Sequence, residues 1–242
     1  MTQVKLGDKN IPFIYQGDEL LYPNPVKDGL VLWYDFKGVT NNNRWKVYPR
    51  DLSGNGLNAS LYNSAYNTEG SGYNDGLHFD GIDDFVSISQ NPLAYQGKEK
   101  QEWTVSMLVT IKDVYRTNKL LTGINKGLEV RDSGYGHKVL NFISNSSLLY
   151  LYSNSIILAN EKCHITYSYN YVEKKNRIYI NGVLDSELIV DDSTDKPEGM
   201  LGVLELSSQR NNAVHSLQIY NRTLTEQEIQ HNYQLEKERW GL

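Results

Sequence analysis

Clustered carboxylates are the side chains of this 242-residue chain that come nearest to a catalytic pattern. Hydrolysis of a glycosidic bond needs two carboxyl groups about 5 Å apart, one as nucleophile and one as general acid and base. The densest acidic runs, Asp80-Gly81-Ile82-Asp83-Asp84 and Asp191-Asp192, have the composition of turns, where aspartate hydrogen-bonds the local backbone. These runs therefore favour a structural role over glycosidase chemistry.

Motifs of other catalytic chemistries are absent from the sequence. It contains no Gly-x-Ser-x-Gly, no His-Glu-x-x-His and no P-loop. The histidines are scattered without metal-ligand spacing: His78, His137, His164, His215 and His231. The single cysteine, Cys163, can form neither an internal disulfide nor a thiolate metal site, and its alternating surroundings predict a buried small hydrophobic residue.

Aromatic side chains offer a different chemistry, because an exposed ring can stack on a sugar beside amide or carboxylate hydrogen-bond partners. The chain has 18 Tyr against 5 Phe. Trp33, Trp103 and Trp240 lie in apolar patterns that predict core positions. The polar, loop-like stretches carry the candidate carbohydrate-binding set, which is Trp45, Tyr48, Tyr73, Tyr135 and His137. The alternative is that each of these residues packs internally or at an interface.

The elements that would position these residues are strands. Short apolar or alternating runs separated by turn residues predict strands at residues 30–36, 76–79, 85–89, 103–111, 119–124, 128–131, 139–143, 148–152, 164–169, 177–180, 200–206 and 214–220. Asn181-Gly182 suits the two positive φ angles of a type I′ hairpin. This many strands with little helix predict an antiparallel sandwich.

One helix is predicted, over residues 225–239. Thr225 and Glu228 have the spacing of a capping box, and Leu224 and Ile229 that of a hydrophobic staple. The face predicted to pack on the sandwich carries Ile229, Tyr233 and Trp240.

Residues 1–24 form a separate extension, and residues 25–242 form the main domain. Two Gly-Asp turns between apolar stretches of the extension predict a meander of three strands at most, which is too small to be stable alone. The extension must therefore pack on the sandwich or on another chain, which points to attachment or oligomerisation.

Charge and hydropathy exclude two classes of partner. With 24 Lys+Arg against 29 Asp+Glu the net charge is −5, which argues against nucleic acid. The longest apolar run, at residues 148–152, is far shorter than the roughly 20 residues of a membrane span. The first residues lack the apolar region of a secretory signal, so we expect the protein to be made in, and to leave from, a cytoplasm.

Three ordered stretches, at residues 28–36, 50–59 and 76–86, resemble the opening of a laminin G-like domain of the concanavalin A-like lectin/glucanase superfamily. The hairpin at 178–182 and the ending at 214–229 extend the resemblance over residues 28–240. It implies an all-β, antiparallel jelly-roll β-sandwich with a short N-terminal β-hairpin extension and one C-terminal helix.

The same resemblance bears on catalysis and on metal binding. The superfamily's glucanases usually carry Glu-x-Asp-x-Glu, which does not occur here, so we expect no enzymatic activity. Relatives often hold Ca²⁺ with loop oxygens, and Asp51 and Asn55 could supply them. The alternative is that Asp51 and Asn55 build a tight Asx turn with Gly54 and Gly56 at positive φ.

The leader at residues 6–8 and 14–23 and the ending at 230–239 also resemble structural proteins of tailed bacteriophages and prophages of Gram-positive bacteria. This implies a multicopy or homo-oligomeric virion protein, assembled in the host cytoplasm and released by lysis. It would join other virion proteins through residues 1–24 and bind host cell-wall glycan during adsorption, with Ca²⁺ as the candidate cofactor. The alternatives are a purely structural decoration protein that uses the fold as a protein interface and, more weakly, a wall-degrading glycosidase.

Overall fold

The computed structural model describes residues 5–6, 9–11, 13–17, 19–41, 48–67, 70–88, 90, 92–93, 102–112, 118–123, 126–132, 137–144, 149–170, 172–189, 204–206 and 211–242. The first nine strands are β1 (Lys5–Leu6), β2 (Lys9–Asn10), β3 (Ile14–Gln16), β4 (Glu19–Tyr22), β5 (Leu30–Asp35), β6 (Ala59–Tyr62), β7 (Gly72–Tyr73), β8 (Leu77–Asp80) and β9 (Phe85–Ile88). They are followed by β10 (Trp103–Ile111), β11 (Asn118–Gly123), β12 (Lys126–Asp132), β13 (His137–Ser144), β14 (Leu149–Tyr152), β15 (Lys162–Asn170), β16 (Lys175–Ile180), β17 (Val183–Ile189), β18 (Leu204–Leu206) and β19 (Asn211–Tyr220), and by the helix α1 (Glu226–Trp240).

Two large antiparallel sheets form the sandwich. The eight-stranded sheet has the order β17-β16-β15-β10-β19-β8-β7, and β5 also pairs with β19. The seven-stranded sheet has the order β14-β13-β12-β11-β18-β9-β6. Neighbouring strands are distant in sequence, as in β10 beside β19, which is typical of a jelly roll. The predicted fold class is confirmed.

Alternation along the strands builds the core between the sheets. On β10, Trp103, Val105 and Met107 belong to the hydrophobic core, whereas Thr104 and Ser106 point to the opposite face. Those outward residues are nevertheless buried, because further elements cover the outer face of the eight-stranded sheet.

The predicted strands agree with the structure in position, and of the strand predicted at 200–206 the described residues are those of β18, Leu204–Leu206. The hairpin at Asn181-Gly182 is confirmed, with φ of 50° and 76°. Cys163 is buried and unpaired, as predicted, and burial raises the pKa of its thiol to about 12. The short strands β6 and β7 were not predicted, because alternation over only four and two residues is too short to be recognised in the sequence.

The helix begins with the predicted capping box and ends one residue later than expected. Thr225 accepts a hydrogen bond from the backbone N–H of Glu228, and the Glu228 carboxylate accepts one from the N–H of Thr225. Gly241 closes the helix with φ of 69°. The buried face includes the predicted Ile229 and Trp240. Within the described residues, no helix has the length and apolar character needed to cross a bilayer.

The extension differs from the predicted meander. Its described residues form two separate hairpins, β1 with β2 and β3 with β4. The Arg239 guanidinium lies 5.4 Å from the ring centroid of Phe13 and 5.9 Å from that of Tyr22, which is buried. The extension therefore packs against the C-terminal helix of its own chain.

Candidate functional site

The outer face of the seven-stranded sheet, the side turned away from the core, carries exposed aromatic rings at one edge. On β6, Ala59 and Leu61 enter the core while Tyr62 points outward. On the neighbouring β9, Val86 enters the core and Phe85 points outward. Strand alternation therefore places Tyr62 and Phe85 on the same side of the sheet.

Tyr62 and Phe85, which we term the aromatic pair, are directly opposed across β6 and β9. Their ring centroids are 4.6 Å apart and their planes differ by 8°, so the rings stack. Tyr62 is 46% exposed and Phe85 is half-buried. A flat ring held in place by a second ring is a ready platform for the apolar face of a sugar.

An acidic turn, formed by Asp80, Asp83 and Asp84, adjoins the aromatic pair. One oxygen from each carboxylate lies within 4.8 Å of the others. The Asp80 N–H donates to Oδ2 of Asp84 at 2.8 Å, which closes the turn between β8 and β9. The side-chain amide of Asn63, the residue after Tyr62, donates to the Asp83 carbonyl at 3.0 Å. Charge and aromatic surface therefore meet at one corner of the sandwich.

The loop that follows Tyr62 is held by short polar contacts. The Ser71 hydroxyl accepts from the Ala65 N–H at 2.9 Å and donates to the Ser64 hydroxyl at 3.2 Å. Asn63 and Tyr66 adopt positive φ values of 60° and 52°. These left-handed residues turn the chain back towards β7.

Two members of the predicted carbohydrate-binding set are brought together through this loop. Tyr48 is 52% exposed. Burial of Tyr66 raises the pKa of its own phenol, and the nearby Tyr48 raises that pKa further. Tyr66 in turn adds to the effect of burial in raising the pKa of Tyr73. The three phenols therefore lie near one another.

The prediction that the ring of Tyr73 is exposed is wrong. Tyr73 is 2% exposed, because β7 pairs with β8 and turns the ring onto Phe36, with centroids 5.8 Å apart. Trp45 and Tyr135 lie outside the described residues. His137 is the first residue of β13, and the placement of its side chain is also outside the described part.

The proposed Ca²⁺ ligands Asp51 and Asn55 have the hydrogen bonds of the Asx-turn alternative. The Asp51 carboxylate accepts from the N–H groups of Trp33, Ser53 and Leu57 at 2.9–3.1 Å and from the Ser53 hydroxyl at 2.9 Å. Asn55 directs its amide N–H towards the Val31 carbonyl at 3.1 Å. Gly54 and Gly56 have φ of 90° and 74°. The geometry thus favours a structural turn at Asp51.

A second polar region lies on the outer face of the eight-stranded sheet, under α1. Here Asp35 and Arg239 form an ion pair with both side chains almost fully buried. Glu236 accepts a hydrogen bond from the Ser216 hydroxyl at 2.8 Å. Burial, reinforced by the charge of Asp35, raises the pKa of Glu236 to about 7. We term Asp35, Ser216, Glu236 and Arg239 the buried polar cluster.

Two histidines flank this cluster and stay neutral. Burial lowers the pKa of His164 to about 4 and that of His215 to about 3, the latter with help from the charge of Lys162. The His215 ring packs 4.8 Å from that of Trp240 and bonds the Thr110 hydroxyl at 2.9 Å. These covered groups stabilise the helix contact and offer little access to a ligand.

Sequence reasoning missed the aromatic pair and assigned the acidic turn only a structural role. The alternation Ala59-Ser60-Leu61-Tyr62 contains a signal for an outward tyrosine, but only the pairing of β6 with β9 places Tyr62 against Phe85.

The sandwich is shared with known proteins. A laminin G-type family model, described as the concanavalin A-like lectin/glucanases superfamily, matches residues 79–230. The botulinum neurotoxin serotype D binding domain superposes with a TM-score of 0.62 at 14% identity, covering 86% of this chain and 52% of that one. Trypanosoma rangeli sialidase superposes with a TM-score of 0.60 at 16% identity, covering 86% of this chain and 33% of that one.

At these identities the structural likeness shows the fold alone, and the chain spans about half of the toxin domain and about a third of the sialidase. No curated protein matches the sequence.

Proposed function

Because this chain belongs to the concanavalin A-like lectin/glucanases superfamily, we propose that it binds glycan on the outer face of its seven-stranded sheet. The observation that carries this proposal is the exposed Tyr62 ring, stacked on Phe85 beside the acidic turn. The ring supplies a stacking surface, and neighbouring carboxylates and amides such as Asn63 supply hydrogen-bond partners for sugar hydroxyls.

We propose further that the chain binds without hydrolysis. Glu129 on β12 lies between the core residues Leu128 and Val130, so it faces the outer side of the sheet, where it is buried. A glycosidase needs a second carboxylate close by. The positions two residues away on the same strand face are Gly127 and Arg131, which supply none. The acidic turn does bring three carboxylates within 4.8 Å of one another, but its Asp84 is fully buried and accepts from the Asp80 N–H. Support for binding without bond cleavage comes from the sequence, which lacks Glu-x-Asp-x-Glu.

The setting that we propose is the virion of a tailed phage that infects a Gram-positive host, with the chain in several copies and cell-wall glycan as its ligand. Support comes from the leader and ending motifs of the sequence. Many weak sites on one particle would gain avidity without a tight individual site.

The test of glycan binding uses the full chain, coupled in many copies to beads, and Gram-positive cell-wall fragments. We expect the beads to retain wall fragments, and Tyr62→Ala to reduce retention at least tenfold. Tyr15→Ala removes an equally exposed ring of the extension, and is expected to bind as the wild type does. Equal retention by Tyr62→Ala and wild type would show that glycan does not bind at Tyr62. No retention by the wild type would favour the alternative of a purely structural decoration protein.

The test of catalysis measures reducing ends released from the same wall fragments. We expect no release above the level without protein, even at high protein concentration and long incubation. Sustained release by the wild type would establish the glycosidase alternative.

Residues 1–24 are proposed as the attachment segment of the virion protein. Leu6, Tyr15 and Leu21 remain exposed although the extension packs on α1, and such apolar side chains suit a contact with another chain. Replacing Tyr15 and Leu21 together by aspartate should leave the sandwich folded and prevent incorporation into particles. Normal incorporation of this variant into particles would show that these exposed apolar residues of the extension do not attach the protein.

A further inference from the structure

Three lysines from distant parts of the chain meet beside the C-terminal end of α1. Lys37 lies just after β5, Lys112 directly follows β10, and Lys162 is the first residue of β15. The ammonium groups of Lys37 and Lys162 lie 4.3 Å and 5.9 Å from the ring centroid of Trp240, the last residue of the helix. The turn between β7 and β8 adds Asp75, and we term Asp75 and the three lysines the lysine corner.

Asp75 compensates only part of the positive charge of this corner. One of its carboxylate oxygens lies 3.3 Å from the ammonium of Lys37, and the other lies 3.3 Å from that of Lys162. The Asp75 side chain is 55% exposed, so both ion pairs are open to solvent. Three ammonium groups against one carboxylate leave two positive charges in one place, although the chain as a whole has a net charge of −5.

Lys112 provides an independent observation, because none of the ion pairs among the described residues involves its ammonium. Its Nζ lies 3.2 Å from Nδ1 of His78. The other ring nitrogen of His78 donates to the Asn74 carbonyl at 2.5 Å, which leaves Nδ1 as the acceptor for Lys112. Lys112 is half-buried, and burial lowers its pKa. A partly desolvated ammonium that is held by a neutral imidazole alone favours the approach of an anion.

Two histidines beside the corner respond to its positive potential. Burial lowers the pKa of His78, and the charge of Lys112 lowers it further. Burial likewise lowers the pKa of His215 to about 3, and the charge of Lys162 is the next largest cause. Asp75 acts in the opposite direction on both rings, with a smaller effect than the lysine. The lysines therefore dominate the local potential.

The turn that carries Asp75 is held in place by a close contact. Asp75 and Gly76 have φ of 50° and 127°. A Cβ on Gly76 would lie 2.6 Å from Nδ1 of His215, so only glycine lets the turn approach this ring. The Asn74 N–H donates to the Gly76 carbonyl at 2.9 Å. The position of the Asp75 carboxylate between the two lysines is thus fixed by the backbone.

We propose that the lysine corner binds a phosphate group, carried by a phosphate ester or by inorganic phosphate. The two uncompensated positive charges match the two negative charges of a phosphate dianion, for which lysine ammonium groups act as point charges. Lys112 lies two residues beyond Thr110, the cross-strand partner of Lys162, so these two long side chains can reach one anion. The site lies on a different sheet from the aromatic pair and stands whether or not the chain binds glycan at Tyr62.

The test is an NMR titration of the isotope-labelled full chain with inorganic phosphate and, separately, with glycerol phosphate. It is done at low ionic strength and slightly above neutral pH, where both probes are dianions. We expect saturable shifts of the backbone amide signals of Asp75, Gly76 and Lys112, which added NaCl should weaken by screening. Phosphate should also raise the pKa of His78, because the anion offsets the charge of Lys112.

Lys112→Gln should weaken phosphate binding at least tenfold, and Lys162→Gln is a second variant that should weaken it severalfold. Lys175→Gln is the matched control, because it removes the same charge from the same sheet at the other end of β15, where Lys175 faces Asn170 and pairs with glutamates. It should bind phosphate as the wild type does.

The two probes distinguish the sources of the phosphate group. Tighter binding of glycerol phosphate would assign an ester as the ligand, and tighter binding of inorganic phosphate would assign the free ion. The proposal is overturned if neither probe shifts these signals up to about 50 mM, beyond the millimolar range of weak binding. It is equally overturned if Lys112→Gln and Lys162→Gln both bind phosphate as tightly as Lys175→Gln.

Discussion

The two outer faces of the sandwich carry similar kinds of residue, but the helix covers one of them and solvent reaches the other. On the eight-stranded sheet, outward polar residues such as Ser106 and His164 are covered by the helix and bond each other at 3.0 Å. On the seven-stranded sheet, Tyr62 and Asp83 remain in contact with solvent. Strand alternation alone thus does not decide whether an outward residue supports the fold or is available to a ligand.

The covering helix explains the difference. Beneath it, Arg239 compensates Asp35, and Glu236 is bonded to Ser216, so the buried charges have partners. Single buried atoms without a partner occur in both regions, Oε2 of Glu236 under the helix and Oδ1 of Asp84 in the acidic turn. The two faces therefore differ in their cover: α1 shields the first, whereas Tyr62 and Asp83 stay exposed on the second.

The largest effect is expected from Arg239→Ala. Removing this side chain leaves Asp35 buried without its ion-pair partner, which should lower the free energy of unfolding by about 3–5 kcal/mol. Urea denaturation measures the change. Lys237→Ala, on the exposed side of the same helix, should cost less than about 0.5 kcal/mol. Similar losses for the two variants would contradict the role of the buried polar cluster.

A smaller effect is expected from pH. His164 and His215 have pKa values well below those of unfolded histidine, so their contribution to stability is present above pH 6.5 and is lost on acidification towards pH 4 and 3. Glu236 has a raised pKa of about 7, so the folded protein binds a proton there that the unfolded chain does not. Its contribution to stability therefore increases as the pH falls from about 7 to 4.5. The two histidines outweigh it, so the free energy of unfolding should fall from pH 6.5 to 4.5.

His164→Gln isolates this effect. It should reduce the loss of stability between pH 6.5 and 4.5 by about 2 kcal/mol, because one group that takes up a proton on unfolding is gone. Denaturation curves at several pH values measure this slope. An unchanged slope would mean that His164 is not held neutral by burial.

The smallest effect on stability is expected from Tyr62→Ala. The ring is largely exposed, so only its stacking on Phe85 is lost, which should cost about 1 kcal/mol in urea denaturation. The same variant is expected to lose glycan binding. A loss of stability as large as that of Arg239→Ala would mean that Tyr62 serves the fold instead of the ligand.

Local patterns predicted much of the fold. The alternation in β10 and β15, the capping box at Thr225 and the Asn181-Gly182 turn each depend on residues close in sequence, and each was found where expected. Tyr73 was mistaken for a loop residue because the two-residue strand β7 forms only by pairing with β8. The aromatic pair was missed for a similar reason, since β6 and β9 are separated by two other strands of the chain.

The sequence by itself determined the approximate positions of most strands, of the Asn181-Gly182 turn and of the helix, because those preferences arise from local backbone geometry and side-chain spacing. Only the tertiary structure decided which polar faces are covered and which carboxylates converge. Glu236 and Arg239 read as ordinary helix residues until the helix packs over Asp35, and Asp84 reads as a turn residue until the fold buries it. Burial and long-range pairing set the energy of a charged group, and neither is encoded in its immediate neighbours.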